Sequence, residues 1–109
     1  MPGYLLQASY SVEALAALVK KPQNRTELIR KSVEKLGGKL TGFWLSFGDY
    51  DIVATFDMPD NVSAAAFAVA IGAGGAIRAV KTTPLLAIDE GVAALKKART
   101  SGYKPVTAK

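Results

Sequence analysis

Cysteine and histidine are both absent from this chain. The first absence excludes disulfides and thiolate metal sites, and the second removes the commonest ligand of zinc, iron and copper centres. No metal and no cofactor is therefore expected. Missing too is any apolar run of the ~18 residues a membrane helix requires. The opening MPGYLLQASYS has neither the basic flank nor the apolar stretch of a signal peptide, so the expected address is cytoplasmic, without a membrane partner. Basic residues interleaved with stacking aromatics are lacking, as is any RNA- or DNA-binding motif, so nucleic acid is not an expected partner.

What remains is a chain of 109 residues, half of them apolar, which suits one domain with one core. Its boundaries are read as residues 1–102, with a flexible tail or strap at 103–109. The net charge of +5 is a property of the end, because Lys96, Lys97, Arg99, Lys104 and Lys109 have no acidic residue among them. The rest of the chain is balanced. Charge is still polarised there: Lys20 to Lys39 is mostly basic, while Asp49, Asp51, Asp57 and Asp60 share a stretch with no basic residue. Solvated helix faces and turn-forming aspartates account for most of this pattern.

The most informative stretch is Gly42 to Asp60, GFWLSFGDYDIVATFDMPD. With Gly48-Asp49 as a two-residue hairpin loop, Gly48 supplies the positive φ of a primed turn. Counting outward pairs Phe47 with Tyr50, Leu45 with Ile52, Phe43 with Ala54 and Thr41 with Phe56, an apolar face that belongs against helices. The opposite face collects Ser46 with Asp51, Trp44 with Val53 and Gly42 with Thr55, and is solvated or meets a partner.

Around this hairpin, Tyr4 to Tyr10 alternates as a strand whose Tyr4, Leu6, Ala8 and Tyr10 share the apolar side. Ser11 caps a helix that Lys20-Lys21-Pro22 interrupts. Asn24 and Glu27 have capping-box spacing before the periodic Leu28, Ile29, Val33 and Leu36, and Gly37-Gly38 stops that turn of helix. Pro59-Asp60 opens an alanine-rich helix ending near Gly72, whose stripe is expected to be core. The following Gly72-Ala73-Gly74-Gly75 lies in the wrong order for a phosphate loop and reads as a helix stop. A fourth strand over Ala76 to Thr83 is expected to lose its pairing capacity at Pro84. An extra C-terminal helix, about Asp89 to Thr100, sets Val92, Leu95 and Ala98 along one side.

Strand, helix, strand, strand, helix, strand is the order of an α+β, ferredoxin-like βαββαβ fold with a four-stranded antiparallel sheet in the order 4-1-3-2 and its helices on one face. The open face then carries Trp44, Val53, Leu5 and Val80 among Gln7, Ser9, Ser46, Asp51 and Thr55. Apolar patches of that kind usually find a partner, so a homo-oligomer, most simply a dimer, is expected.

Phe47-Gly48-Asp49-Tyr50-Asp51, followed by Ile52-Val53 and Pro59-Asp60, resembles the GYD-domain family of the dimeric α/β-barrel group. Tyr10-Ser11, Arg25, Leu36-Gly37-Gly38-Lys39 and the Thr82-Thr83 to Glu90 segment extend the resemblance over about residues 4 to 90, and the hairpin motif with Gly48, Tyr50 and Asp51 is its specific part. The resemblance implies a ferredoxin-like subunit whose open face packs on another copy to close a barrel, in a family whose biochemical activity is largely uncharacterised. The helix beyond Glu90 departs from the family's usual pattern.

Two function classes follow. In the first, a cleft holds a small ligand, or the chain serves as an assembly module, with Trp44, Ser46, Asp51 and Arg78 as candidate ligand-binding residues: Trp44 as an aromatic wall, and Arg78 or Lys81 as an anion anchor. In the second, by analogy with related barrels, the chain is a cofactor-independent monooxygenase- or isomerase-like enzyme acting on a small aromatic or lactone substrate. Without histidine, such an enzyme draws its acid and base from Asp51, Tyr10, Tyr50, Glu90 or Lys81, each with a shifted pKa. Each also has a plain structural role open to it: Asp51 braces the turn, Tyr50 fills the apolar face, Trp44 anchors an interface and Arg78 is solvated. The binding or assembly reading is preferred.

Overall fold

The computed structural model describes residues 1–107; the last two residues of the expected 103–109 tail lie outside them. The elements run β1 (Gly3–Tyr10), α1 (Val12–Lys20), α2 (Thr26–Lys35), β2 (Lys39–Leu45), β3 (Ile52–Asp57), α3 (Asn61–Ala73), β4 (Ile77–Leu85) and α4 (Ile88–Ala98). All strands pair antiparallel in the order β2-β3-β1-β4, which is the expected 4-1-3-2 read from the other edge. The ferredoxin-like α+β architecture is therefore present, with the additional helix α4 after it.

The core lies between the helices and one sheet face. Tyr4, Leu6 and Ala8 of β1 and Ile52, Ala54 and Phe56 of β3 are buried there with Val33 of α2 and Phe67 of α3. The two central strands thus show the period-two pattern of a half-covered sheet. Phe56 is the aromatic centre, stacked on Tyr4 at 5.6 Å and meeting Phe67 edge-on at 5.2 Å. The Tyr4 hydroxyl donates to Asn61 Oδ1 at 2.6 Å, which satisfies its buried polar end and ties β1 to the first residue of α3.

Helix starts follow local chemistry. Ser11 Oγ accepts from the Ala14 amide at 3.1 Å and opens α1, as its capping residue type predicts. Asp60 Oδ1 accepts from the Ser63 amide at 2.8 Å and opens α3. That hydrogen bond holds the Asp60 carboxyl below its ordinary pKa, since it favours the charged form. The expected capping box at α2 does not form. Asn24 Oδ1 instead accepts from the Thr26 amide and hydroxyl at 3.0 and 2.6 Å, while Glu27 pairs with Arg30 one turn on.

Two strand irregularities move side chains to faces that simple alternation does not assign. On β2, Gly42, Phe43, Trp44 and Leu45 face Thr55, Ala54, Val53 and Ile52 as counted, but Thr41 is bulged and Leu40, not Thr41, faces Phe56. On β4, the register shifts opposite Ser9 and Tyr10, so Ile77 faces Tyr10 and Val80 faces Ala8. Val80 therefore lies on the helix side, packed against the core, and not on the open face. Pro84 does not end β4 either: the strand is an edge, where a missing N–H is tolerated, and Pro84 faces Tyr4.

The hairpin end is also looser than a two-residue turn. Residues 46–51 form the connection, closed by the Ser46 amide donating to the Asp51 carbonyl at 2.7 Å. Leu45 and Phe47, expected against the helices, are 79% and 98% exposed. Leu45 borders an open cavity beside α1 and does not pack against that helix, and Phe47 lies in the connection beyond the sheet. Val62 and Val69 of α3 are likewise exposed, with Ala64 and Phe67 forming that helix's buried contact.

Thr82, opposite Leu6 on β4, carries the one buried side-chain oxygen without a hydrogen-bond partner among the described residues. An orphaned buried hydroxyl costs about 1–3 kcal/mol, and valine has nearly the same shape without that penalty. Thr82→Val should therefore raise the unfolding free energy by about 1 kcal/mol in chemical denaturation. A loss of stability would reveal a partner for the hydroxyl.

Candidate functional site

The helix layer does not close over the sheet. Helix α1 buries no residue and α2 only Val33, and between these helices and α3 a cleft of about 730 Å³ reaches down to the sheet. Its floor includes Ala8 and Ala54 of the central strands, and its walls include Ala14, Ala17 and Ala70 of the helices. Small side chains opposite small side chains leave the volume unfilled. Among the α3 alanines, Ala64 packs into the core while Ala70 lines this open space.

A second cavity of about 500 Å³ adjoins it toward the β2 edge, lined by Phe43, Trp44 and Leu45 and by the α1–α2 connection. The two share Tyr10, Leu18, Gln23, Arg25, Phe43 and Ile52. Tyr10, from the end of β1, and Arg25, from the residue that opens α2, stand together at that junction, while Ser32 and Lys35 add polar groups elsewhere along the larger cleft. Burial pushes the Tyr10 phenol above its ordinary pKa; the Arg25 charge pulls the other way, and the Asp51 carboxylate adds to the rise. Tyr10 is therefore a protonated hydrogen-bond donor at neutral pH, next to a permanent positive charge. Arg25 is held loosely from one side by Gln23 Oε1, which accepts from its Nη1 at 3.4 Å.

Asp51 reaches this region through the backbone. Its Oδ2 accepts from the Tyr10 amide at 2.9 Å, and its own amide donates to the Ala8 carbonyl at 2.9 Å. Ser9 Oγ donates to the Asp49 carbonyl at 2.7 Å and Ser46 Oγ to the Tyr50 carbonyl at 2.7 Å. Together these bonds fasten the 46–51 connection to the end of β1, the strand end from which Tyr10 projects. The aspartates and serines of the hairpin motif brace the loop.

The remaining candidate residues are spread apart. Trp44 is 54% exposed on β2, its ring lying over Gly42, where any Cβ would overlap the indole and come within 2.9 Å of Thr55 Oγ1. Arg78 is exposed in the irregular stretch of β4, at the opposite edge of the sheet and roughly 14 Å away by strand spacing. Lys81 faces Gln7 on the open side. Trp44 and Arg78 therefore do not share one site in a single subunit, whereas Tyr10 and Arg25 do. Tyr10 was legible as a candidate acid; Arg25 carries no local signal of its role, because the chain fold alone brings it to the end of β1.

The open sheet face is now defined by register. One row across it is Trp44, Val53, Gln7 and Lys81, and the next is Gly42, Thr55, Leu5 and Thr83. Compared with known protein families, the chain matches the GYD domain over residues 4–95. The chain belongs to the GYD family. That match runs from the second residue of β1 to Leu95 in α4, so the GYD unit takes in most of the last helix, and the departure from the family expected beyond Glu90 begins only after Leu95. No curated protein matches the chain. Among the described residues no group of acidic side chains could hold a metal ion, and no helix is long and apolar enough to cross a membrane.

Proposed function

We propose that this GYD protein binds a small, mostly apolar molecule bearing a carboxylate or carbonyl group in the cleft between its sheet and helices. The observation that carries this reading is the pairing of an apolar cleft of about 730 Å³ with Tyr10 and Arg25 at its junction with the neighbouring cavity. Ligand pockets are commonly ~300–1,000 Å³, apolar, with a few convergent polar groups. The Tyr10 phenol donates a hydrogen bond and Arg25 supplies a charge matched to an oxyanion. A phenol whose pKa is raised is poorly suited to take a proton at neutral pH, which favours binding over base-driven chemistry.

A fluorescent long-chain polyene fatty acid tests this. Saturable binding is expected, and Arg25→Gln should weaken it by about 10-fold or more, the worth of a charged hydrogen bond, with an unchanged melting midpoint. The corresponding alcohol should bind wild type and variant alike. Absence of saturable binding, or an Arg25→Gln protein that binds the acid as well as wild type, would overturn the assignment.

Self-assembly is a second part of the proposal. Trp44, Leu5 and Val53 on the open sheet face are supported on one side only, and a second copy facing them would remove them from water.

A further inference from the structure

Helix α4 is a well-formed helix with no surface to lie on. It spans 11 residues, buries none of them and has no substantial packing against any other element. Its Ile88, Val92 and Leu95 recur at helical spacing on one stripe, and Ile88 and Leu95 are 82% and 72% exposed. The molecule is correspondingly long, 57 Å on its greatest axis, with a radius of gyration of 17.5 Å where a compact chain of this length would have about 13 Å. Isolated helices shorter than ~12–15 residues are marginal in water, so α4 requires a surface. Glu90 Oε1 accepts from the Ala87 amide at 3.2 Å, and Lys96 and Lys97 sit at the negative helix end. These local devices contribute only a little.

We infer that α4 is an intersubunit arm whose Ile88-Val92-Leu95 stripe packs on a second copy of this chain; the inference rests on the self-assembly reading above. Two observations choose this occupant. The apolar stripe is continuous with the open sheet face: Leu85 is the last residue of β4, on the open side opposite Gly3, and Leu86 and Ile88 carry the exposed apolar surface from it onto the helix. The arm also adds area. Four strands at ~4.8 Å spacing and about seven residues long give the open face a footprint of ~450 Å². An arm of this length given and one received add ~160 Å² each, so face and arm together bury more than the face alone.

Light scattering at micromolar concentration on the full chain, with denaturation at several concentrations, tests the arm. Wild type should be a dimer whose melting midpoint rises with concentration. The double variant Val92→Asp/Leu95→Asp should weaken the dimer at least 100-fold and run as a monomer. Because Val92 and Leu95 are 43% and 72% exposed and neither belongs to the core of one subunit, it should still unfold cooperatively, at the midpoint wild type reaches on dilution. Val53→Asp, on the open face, provides the contrast. If Val53→Asp dissociates the dimer and the α4 variant does not, the arm is wrong and face-to-face assembly stands. A wild-type monomer overturns both. A destabilised α4 variant, even against diluted wild type, would show that the helix folds back on its own subunit and overturn the arm. Wild type that is monomeric, and sediments with anionic phospholipid vesicles only when the α4 stripe is intact, would assign the stripe to a membrane surface instead.

Discussion

Phe56→Ala should lower the unfolding free energy by about 3–5 kcal/mol, the usual cost of deleting a fully buried phenylalanine ring. Phe56 is 1% exposed on a central strand, flanked across the sheet by Leu40 and Tyr4, and covered by Phe67 from α3. Loss of the ring removes both aromatic contacts at once and leaves a void between a sheet and a helix that are already held apart by the neighbouring cleft. A domain of this size has about 5–15 kcal/mol in total, so the variant would be close to unfolding. Urea denaturation of both proteins measures the difference. A loss below about 1 kcal/mol would mean that α3 settles onto the sheet and fills the space, in which case the cleft itself should shrink and ligand binding should fall with it.

The helix-facing side of β1 and β3 was legible because alternation runs unbroken through both strands: Tyr4, Leu6 and Ala8, and Ile52, Ala54 and Phe56, all face the core. The hairpin pairing could be counted for the same reason from Leu45 back to Gly42. Misassignment begins at the irregularities. Leu40 and Phe43 both face the helix side although they are three residues apart, and so do Ile77 and Val80, which a period of two forbids unless one residue is bulged. Nothing in Thr41 or Arg78 announces a bulge. The cleft was illegible for a different reason: Ala8, Ala54 and Ala70 read equally well as tight packing or as empty space, and only the splay of α1 and α2 from α3 decides between them. Asp51 was legible as a residue placed by the hairpin, but its bond to the Tyr10 amide crosses from the 46–51 connection to β1 and depends on the tertiary fold.

That bond makes Asp51 the residue through which loop, strand and cleft are coupled, and Asp51→Ala should cost about 1–3 kcal/mol by leaving the Tyr10 amide without its charged acceptor. The loop should loosen with it, since the Ser46 and Ala8 backbone bonds to residue 51 close the same end of the sheet. Asp51→Asn separates acceptor from charge. Asparagine can still accept through its side-chain oxygen, so the loss should be about half, as neutral hydrogen bonds are roughly half as strong as charge-assisted ones. Both variants should, however, bring the Tyr10 pKa down toward its ordinary value, because the Asp51 charge is one of the causes that raise it. The sign on stability follows. A phenol whose folded pKa is raised contributes stability that is complete below the unfolded value of 10.0 and is lost as pH rises through the folded value. The decline of wild-type stability above that pH should therefore be smaller in both variants. Denaturation midpoints across the alkaline range, with tyrosinate absorbance to follow Tyr10, measure both effects. Unchanged stability in Asp51→Ala would show that water replaces the carboxylate at the Tyr10 amide. The hairpin motif would then owe its place in the fold to the backbone of the loop alone.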